Sequence, residues 1–424
     1  MKRYLSKILN VFLIILLLVV LVGCGKKTPP QAPDLLTDVS RRTFNYFWEF
    51  AHPETGLVLD KYIDQSVASI AATGFGLAAL PIGVEKGWIT RVQGKERALK
   101  TLDSFESGLV EGKNGFFMHW VNWRTGKGVW DREVSSIDTA LFIAGAIVAG
   151  EYFGGDIKER AEKLYKAIDW QWMTDDGVTL RMGWKEKEGF TNDRWGDRFD
   201  EGLLATLLAM GSPTHPISPA AWDAIDRSVV QTNPHTGETH IALEAETLFV
   251  YQFPLIFFDL RNTADRHGID YFENAVKATK YNRDYTMKTH ADKYGVYGEV
   301  WGLSAEDKPY GGYHAYGARD GNNDGTIAPY ASISALPFLP EEAMAAVKAM
   351  VNNFPQVYGK YGFHAGFNLI VKGGPWYSGN YIGIDQGAIL LSIANYQSEM
   401  VWKYFMQNPY VLEAVRLAGF DRYQ

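Results

Sequence analysis

The chain has 424 residues, a formal net charge of −7 and 46% hydrophobic residues. The negative net charge argues against nucleic-acid binding, which needs a positively charged surface. The apolar content suffices for a sizeable hydrophobic core. The unusual feature is an aromatic content of 14%, from 13 Trp, 23 Tyr and 23 Phe. Many of these rings must fill the core, but such abundance also indicates a groove lined with flat faces that could hold sugars.

The N-terminus begins with three cationic side chains, followed by an apolar run over residues 11–22. Twelve apolar residues are too few for a membrane-spanning helix, which needs about 20, and the pattern is typical of a secretory signal. The run ends at Leu21-Val22-Gly23-Cys24, which resembles the lipobox of bacterial lipoproteins, where the Cys is acylated. We therefore expect a signal peptide over residues 1–23, a lipidated Cys24, and a polar linker over residues 24–33.

The remaining chain fits an exported, anchored protein. Cys24 is the only cysteine, so a disulfide framework and a thiolate metal site are excluded. Removal of residues 1–23 takes away three positive charges and leaves −10, which argues against adhesion to anionic lipid heads. Gly25 follows the Cys in place of an Asp, which favours the outer bacterial membrane, facing the periplasm or the cell surface. We expect a monomer.

Beyond the linker, the apolar periodicity is mainly helical. The long Gly- and Trp-rich connections suggest paired helices, and neither a composition break nor a fixed repeat appears. We therefore expect one all-α domain over residues 34–424, best built as a closed α/α barrel; an open α-solenoid is the alternative. Helices are predicted over residues 35–48, 69–86, 91–107, 135–152, 157–172, 200–210, 219–230, 243–257, 271–287, 340–353, 385–396, 399–406 and 411–417.

Four loop clusters combine carboxylates with aromatic side chains, two of them directly before apolar helices. Each acid there could simply serve the helix dipole, but glycoside hydrolysis needs a pair of carboxylates flanking the scissile bond. Aromatic faces would hold the sugar rings, while Arg, His and Gln would bond to the hydroxyls. The candidate acids are Glu133, Asp138, Glu201 and Asp385, and the candidate sugar-binding residues are His119, Trp130, Trp195, Glu299, Trp301, Tyr313, His314, Arg319, Trp376 and Gln386.

Other chemistries find less support. Residues 320–325 match the opening of a calcium loop, but its twelfth position is Ala331 where a bidentate Glu is needed, so a Gly/Asn turn fits better. The nine His residues are scattered, and HExxH, GxSxG and phosphate-binding glycine loops are absent from the sequence. A polysaccharide lyase would need positive charge to neutralise a uronate, which an acidic domain does not offer.

Six blocks of sequence, in order, resemble the glycoamylase-like family. They begin at Arg42 (RTFNYFW), Ser69 (SIAATGFG), Ser135 (SSIDTA), Gly211 (GSPTH), Tyr313 (YHAYGAR) and Gly383 (GIDQG). The similarity runs from about Asp34 to the C-terminus and therefore covers the whole domain. The resemblance implies an (α/α)6 barrel and the activity of bacterial endo-β-1,2-glucanases, which cut β-1,2-glucan with inversion and without a metal or cofactor.

The resemblance also implies roles for the acids. Glu201 would be the general acid, and Asp138 would bind the sugar or organise the water, with Glu133 nearby. Asp385 is a further candidate, and the base is left open. The chain departs from the family pattern at residues 243–248 and lacks an expected His near residues 251–254. A glucan hydrolase of another linkage, including a glucoamylase, and a non-catalytic glycan-binding lipoprotein are therefore the alternatives.

Overall fold

The computed structural model describes residues 34–423, so the predicted signal peptide, Cys24 and the linker lie outside the described residues. By their contacts the residues divide into two units, Met1–Asp38 and Val39–Gln424. In the described part of the first unit, Asp34 accepts hydrogen bonds from the backbone N–H of Thr37 at 3.1 Å and from its hydroxyl at 2.6 Å. This local pair begins the first helix.

Helices make up nearly half of the described chain. In order they are α1 Leu35–Glu49, α2 Ile70–Glu85, α3 Arg91–Glu106, α4 Ser136–Phe153, α5 Gly155–Ala167, α6 Trp170–Met173, α7 Leu203–Met210, α8 Ala220–Asp223, α9 Phe249–Phe257, α10 Tyr271–Asp284, α11 Ala291–Tyr294, α12 Pro329–Ile333, α13 Pro340–Asn353, α14 Gly383–Ser398, α15 Met400–Phe405 and α16 Pro409–Leu417. A π-helical turn, Tyr285–Thr289, follows α10, and short 3-10 turns cover Gly295–Tyr297, Pro355–Val357 and Asp421–Tyr423.

Short strands lie in the connections between helices. They are β1 Leu59–Lys61, β2 Asp64–Ser69, β3 Gly112–Lys113, β4 Phe116–Met118, β5 Trp120–Asn122, β6 Glu133–Ser135, β7 Gly183–Lys185, β8 Gly189–Phe190, β9 Val230–Thr232, β10 Thr239–Ile241, β11 Ala305–Asp307, β12 Tyr313–Ala315, β13 Tyr358–Gly359, β14 Gly362–Phe363, β15 Phe367–Asn368 and β16 Trp376–Tyr377. Antiparallel pairing gives sheets β1-β2-β5 and β3-β4-β6-β7-β8, and the last eight strands form four hairpins.

The most buried helices contact one another in a closed circuit. α2 packs on α4, α4 on α7, α7 on α9, and α14 packs on α9, α12 and α2. The gap between α9 and α12 is bridged by Gln252, whose side-chain amide donates to the carbonyl of Ala331 at 2.8 Å. Five other helices each pack on a member of this circuit: α3 on α2, α5 on α4, α10 on α9, α13 on α12, and α16 on α7.

The sequences of the two groups explain their positions. α2 and α4 are apolar on all sides and buried along almost their whole length, whereas α3 and α5 bury only one face, as expected of inner and outer helices. α4 has the length and hydropathy of a membrane span, but 89% of it is buried inside the protein. A core helix of a globular domain has the same composition.

α2 and α4 approach each other through two glycines. A Cβ atom on Gly74 would lie 2.4 Å from the carbonyl oxygen of Leu141, and one on Gly145 would lie 1.8 Å from the carbonyl oxygen of Gly74. Both distances are far below van der Waals contact. The close packing of these two helices therefore requires glycine at both positions.

Most predicted helices are present, and the differences have local causes. The helix predicted over residues 157–172 is divided, because Asp169 caps a new short helix. The one predicted over 243–257 begins only at Phe249, because Glu246 adopts a left-handed φ of +51°. The one predicted over 219–230 stops at Asp223, and Val230 joins a strand. The short strands were not predicted, and helix α12 was missed.

Candidate active site

A central cavity of about 510 Å³ opens among the loops that lead into α2, α4, α7 and α14. This volume is within the range of ligand pockets. Its wall combines acids with rings and apolar side chains. The acids are Asp60, Asp138 and Glu201, and the rings are His119, Trp120, Trp130, Phe249, Phe253, Tyr313 and Tyr330. The cavity therefore joins carboxylates and flat faces from segments that are distant in the sequence.

Asp138 is fixed at the start of α4. Strand β6 leads directly into this helix, and Ser135 caps it by accepting from the backbone N–H of Asp138 at 3.3 Å. The Ser135 hydroxyl in turn donates to Asp138 Oδ2 at 2.5 Å. The other carboxylate oxygen lies 3.4 Å from Nε2 of His119. Asp138 is 6% exposed, so its carboxylate is oriented by these two neighbours.

Glu201 reaches the same cavity from the turn before α7. The preceding residue, Asp200, accepts backbone N–H bonds from Gly196 at 3.2 Å and Gly202 at 2.9 Å, which closes the turn. Trp195 packs against Gly202, where a Cβ atom would lie 2.6 Å from the Trp195 side chain. The turn is thus held from both sides, and this places Glu201 on the cavity wall.

The electrostatics of Glu201 suit an acid that donates a proton. Burial raises its pKa to about 8, and the negative charges of Asp138 and Asp200 add to the effect. Burial also raises the pKa of Asp200 to about 6, although its two backbone hydrogen bonds oppose the shift. Glu201 is therefore protonated near neutral pH, as a general acid must be.

A second group of acids lies behind the cavity. Asp385 and Glu306 are at most 1% exposed, and among residues 34–423 their carboxylate oxygens have no hydrogen-bond partner. Burial raises the pKa of both carboxyls well above the usual range. The charge of Asp307 raises the pKa of Asp385 further, whereas Lys61 lowers it. The charge of Asp385 likewise raises the pKa of Glu306. Both carboxyls are therefore held neutral. Lys61 bonds to Asp307 at 2.8 Å and links this group to the cavity wall.

Aromatic rings form one side of the cavity. His119 stacks on Trp120 with ring centroids 3.3 Å apart, and Trp120 meets Trp130 edge to face at 4.9 Å. Trp130 is 59% exposed and has a φ of +55°. On another side, the ammonium of Lys61 lies 5.0 Å from the centre of the Tyr313 ring. Exposed rings next to carboxylates are what a sugar-binding wall requires.

Two further cavities continue from the central one. A middle cavity of about 610 Å³ shares Glu201, Phe249 and Ala315 with it. A distal cavity of about 700 Å³ shares Leu243, Glu244, Arg319 and Asp320 with the middle one. Because neighbouring cavities share wall residues, we refer to the three together as the cleft; Glu201 lies on the wall common to the first two.

Sequence comparison assigns the family. The model of the Glycoamylase family matches residues 194–409, just over half of the chain. The chain belongs to the Glycoamylase family. The matched segment includes Glu201, the distal cavity, the middle cavity except Met182, and the buried acids behind the central cavity.

Relatives of this Glycoamylase chain include enzymes with named activities. An exo β-1,2-glucooligosaccharide sophorohydrolase (non-reducing end) from Parabacteroides distasonis is 26% identical over 427 residues, 92% of this chain. An endo-β-1,2-glucanase from Chitinophaga pinensis, solved with sophorotriose and glucose, is 28% identical with a TM-score of 0.85, over 93% of this chain and all of that one.

A solved β-1,2-glucanase from Parabacteroides distasonis is 26% identical, with a TM-score of 0.84 over 92% of this chain and 60% of that one. This chain spans 58% of the length of the P. distasonis sophorohydrolase. The two Parabacteroides proteins are thus longer than the Glycoamylase chain described above.

The structure brings together several of the predicted site residues. The central cavity collects Asp138, Glu201, His119, Trp130 and Tyr313. Trp195 and Arg319 line the middle cavity. Glu133 lies beside this group: its carboxylate is 3.6 Å from Lys185 Nζ, and its backbone carbonyl accepts from the N–H of His119. Burial raises the pKa of Glu133.

Other predicted residues lie away from the three cavities. Trp301 and Gln386 are fully buried, and Gln386 donates to the carbonyl of Phe363. Because neither exposes surface, the structure corrects the prediction that they contact a sugar. Glu299 and His314 are exposed but outside the cavity walls, and Trp376 lies in a hairpin.

Sequence reasoning missed several residues of the wall, among them Asp60, Lys61 and Tyr330. Asp60 and Lys61 lie at the end of β1, and Tyr330 lies in α12, which was not predicted. Lys61 pairs with Asp307, 246 positions away, so local patterning carries no signal for it. Asp60 lies within a three-residue strand and has no motif around it.

Among residues 34–423 there is no group of three or more His, Cys, Asp or Glu side chains arranged to hold a metal ion. At the calcium-like turn, Asp324 accepts instead from Thr326 and Tyr316. Asp320 accepts from the hydroxyl of Tyr285 at 2.7 Å. These hydrogen bonds within the protein stabilise the turn.

Proposed function

We propose that this chain is a glycoside hydrolase that cleaves β-1,2-glucan. The observation that carries the proposal is the pair of Glu201 and Asp138 on one aromatic-walled cavity, with Glu201 protonated near neutral pH. Glycoside hydrolysis requires an acid of this kind beside a second carboxylate. The choice of substrate is supported by the relatives from Parabacteroides distasonis and Chitinophaga pinensis, which are named for acting on β-1,2-linked glucans.

In the proposed mechanism Glu201 donates its proton to the glycosidic oxygen as the bond from that oxygen to the anomeric carbon breaks. Water adds to the anomeric carbon and loses a proton to a carboxylate. Asp138 binds the sugar or organises that water, since Ser135 and His119 fix its direction. Glu133 is the other candidate for this second carboxylate, because Asp385 lies behind the cavity with its carboxyl held neutral. We propose that the reaction inverts the anomeric configuration, as the family resemblance implies.

We infer that the closed circuit of six buried helices is the inner layer of an (α/α)6 barrel. The outer helices α3, α5, α10, α13 and α16 each pack on a member of that circuit. In such a barrel the loops before the inner helices meet at one end. The residues that precede α2, α4, α7 and α14 do line a common cavity, which supports the assignment.

The cleft favours internal cleavage of the chain, because it continues past Glu201 through two more cavities. The test is incubation of the purified protein with a panel of glucans: linear β-1,2-glucan, β-1,3-glucan, β-1,4-glucan and starch. We expect short sophoro-oligosaccharides of mixed length from β-1,2-glucan only. Release of sophorose alone would indicate an exo mode. Cleavage of another glucan would show that the enzyme is specific for a different linkage. Binding without cleavage would indicate a glycan-binding protein without hydrolase activity.

We further propose that the enzyme is a monomer tethered through Cys24 to a bacterial membrane. The lipobox-like segment Leu21-Val22-Gly23-Cys24 supports acylation, and Gly25 favours the outer membrane. Mass spectrometry of the protein from membranes would show the lipid on Cys24, and Cys24→Ser should release the protein into the soluble fraction. Retention of that variant in the membrane would contradict the anchor.

A further inference from the structure

The distal cavity has a polar and aromatic wall, and the proposed catalytic residues do not belong to it. Its wall includes Tyr281, Tyr285 and His290, and it joins the middle cavity at Glu244 and Arg319. Arg319 marks the junction: its guanidinium donates to the backbone carbonyl of Glu244 at 2.6 Å and lies 3.1 Å from the Glu244 carboxylate. Because both cavities share these wall residues, a chain that fills the middle cavity comes next to the distal one.

A buried pair of His240 and Glu246 lies at the distal cavity, and Glu246 belongs to its wall. Glu246 is 6% exposed, and its Oε2 lies 3.1 Å from Nε2 of the fully buried His240. The hydroxyl of Tyr251 donates to the other Glu246 oxygen at 3.5 Å. Glu246 also has a φ of +51°, a conformation that costs free energy and persists where surrounding contacts impose it. Such strain is concentrated at functional sites.

The wall offers hydrogen-bonding groups suited to sugar hydroxyls. Among the described residues, the Tyr281 hydroxyl has no hydrogen-bond partner although it borders the cavity. Burial, with Glu246 and Asp320 nearby, raises the pKa of Tyr281 to about 12, so it remains a neutral donor and acceptor. Asp320 accepts from Tyr285 and lies 3.0 Å from His290 Nε2.

The charges of the cavity select the kind of ligand. Three carboxylates, Glu244, Glu246 and Asp320, face it together with Arg319 and His290. This excess of acids repels an anionic glycan and suits a neutral one, whose hydroxyls can both donate and accept. A ring edge from Tyr281 or Tyr285 can contact the apolar face of a sugar.

We propose that the distal cavity binds glucose units of the same glucan chain that is cut at Glu201, several units away from the scissile bond. This inference rests on the proposed hydrolase function. Bound remote units contribute binding energy only to chains long enough to reach them. The enzyme therefore prefers long glucans, and the residues that line the distal cavity set that preference.

The test obstructs the distal cavity without touching the central one. Thr232 is exposed and lines the distal cavity, and its partner across the hairpin, Thr239, does not. Thr232→Trp should lower kcat/KM on long linear β-1,2-glucan about fivefold or more, the scale of losing one or two hydrogen bonds. On the shortest oligosaccharide that the wild type cleaves, the change should be below about twofold, and Thr239→Trp should change neither by more than about twofold.

A second pair of variants tests the polar wall. His290→Ala removes a distal His that faces Asp320 at 3.0 Å, and His267→Ala removes a matched His that faces Asp223 at 2.8 Å elsewhere on the surface. Only His290→Ala should weaken binding of long glucan, measured by calorimetry in the Glu201→Gln background. Equal losses on long and short substrates, or no loss in either distal variant, would overturn the proposal. If the wild type cleaves no β-glucan, the proposed function fails instead, and calorimetry still reports on the distal cavity.

Discussion

The indole N–H of Trp195 donates to the hydroxyl of Ser136 at 2.7 Å. Trp195 packs against the turn that carries Glu201, and Ser136 is the first residue of the helix that carries Asp138. This one bond therefore joins the supports of the two carboxylates across the central cavity. Because both partners are buried, the bond holds the two turns at a fixed separation.

Removal of this bond should reduce activity more than stability. Trp195→Phe and Ser136→Ala each delete one partner, and each should cost about 1 kcal/mol of folding free energy while lowering kcat about tenfold. The double variant should lose little more than either single one, since the two residues act as a unit. Urea unfolding and kcat on β-1,2-glucan measure the two quantities. Additive losses in kcat would contradict a shared positioning role.

Glu201→Gln should abolish hydrolysis and retain binding. Glutamine keeps the shape and polarity of the side chain but cannot supply a proton, so kcat should fall by at least about a hundredfold, the usual contribution of a general acid. Affinity for β-1,2-glucan, measured by calorimetry, should stay within about threefold of the wild-type KM. Glu341→Gln, on an exposed face of α13, is the matched control. Full activity in Glu201→Gln would remove Glu201 from the mechanism.

The pH profile of activity should fall on its alkaline side near pH 8. Burial, with Asp138 and Asp200, raises the pKa of Glu201 to about 8, and the enzyme is active only while that proton is present. Asp138→Asn removes one of the charges that raise the pKa, so the alkaline limb should move to lower pH. The measurement is kcat/KM between pH 5 and 10, which reports the groups of the free enzyme. A limb that stays fixed in Asp138→Asn would mean that another group titrates there.

The same carboxyl should make stability depend on pH. The pKa of Glu201 is raised from its usual 4.5 to about 8 in the folded state, so the folded state binds more protons between these values. Its contribution is therefore fully present below pH 4.5 and is lost as pH rises through 8. The Tm of Glu201→Gln minus that of the wild type should become more positive from pH 5 to 9. A constant difference would contradict burial of the charge.

Asp138 and Glu201 could be predicted from sequence because each lies at the start of an apolar helix, and that local pattern survives folding. The buried helices α2 and α4 were predictable for the same reason, since their apolar residues run along all sides. Lys61 and its partner Asp307 could not be found, because 246 residues separate them and only the closed packing brings them together.

The local sequence pattern also does not show which residues are buried. Trp301 and Gln386 lie in Gly-rich segments that resemble binding loops, yet both are fully buried. The departure from the family pattern at residues 243–248 was visible in the sequence, but its meaning required the structure. Those residues include Leu243, Glu244 and Glu246, which border the middle and distal cavities.

The contact between α2 and α4 should tolerate no side chain at Gly145. A Cβ atom there would lie 1.8 Å from the backbone oxygen of Gly74, and backbone atoms cannot move aside as a flexible side chain can. Gly145→Ala should therefore cost about 3 kcal/mol or more of folding free energy, the upper range of overpacking in a core. Gly295→Ala is the control, because no atom lies within 4 Å of its Cβ position. Urea unfolding followed by circular dichroism measures both, and the Gly295→Ala midpoint should stay close to the wild type. Equal midpoints for the two variants would show that α2 and α4 can separate without loss of stability. The loops carrying Asp138 and Glu201 would then be held by bonds such as that between Trp195 and Ser136, and not by the helices beneath them.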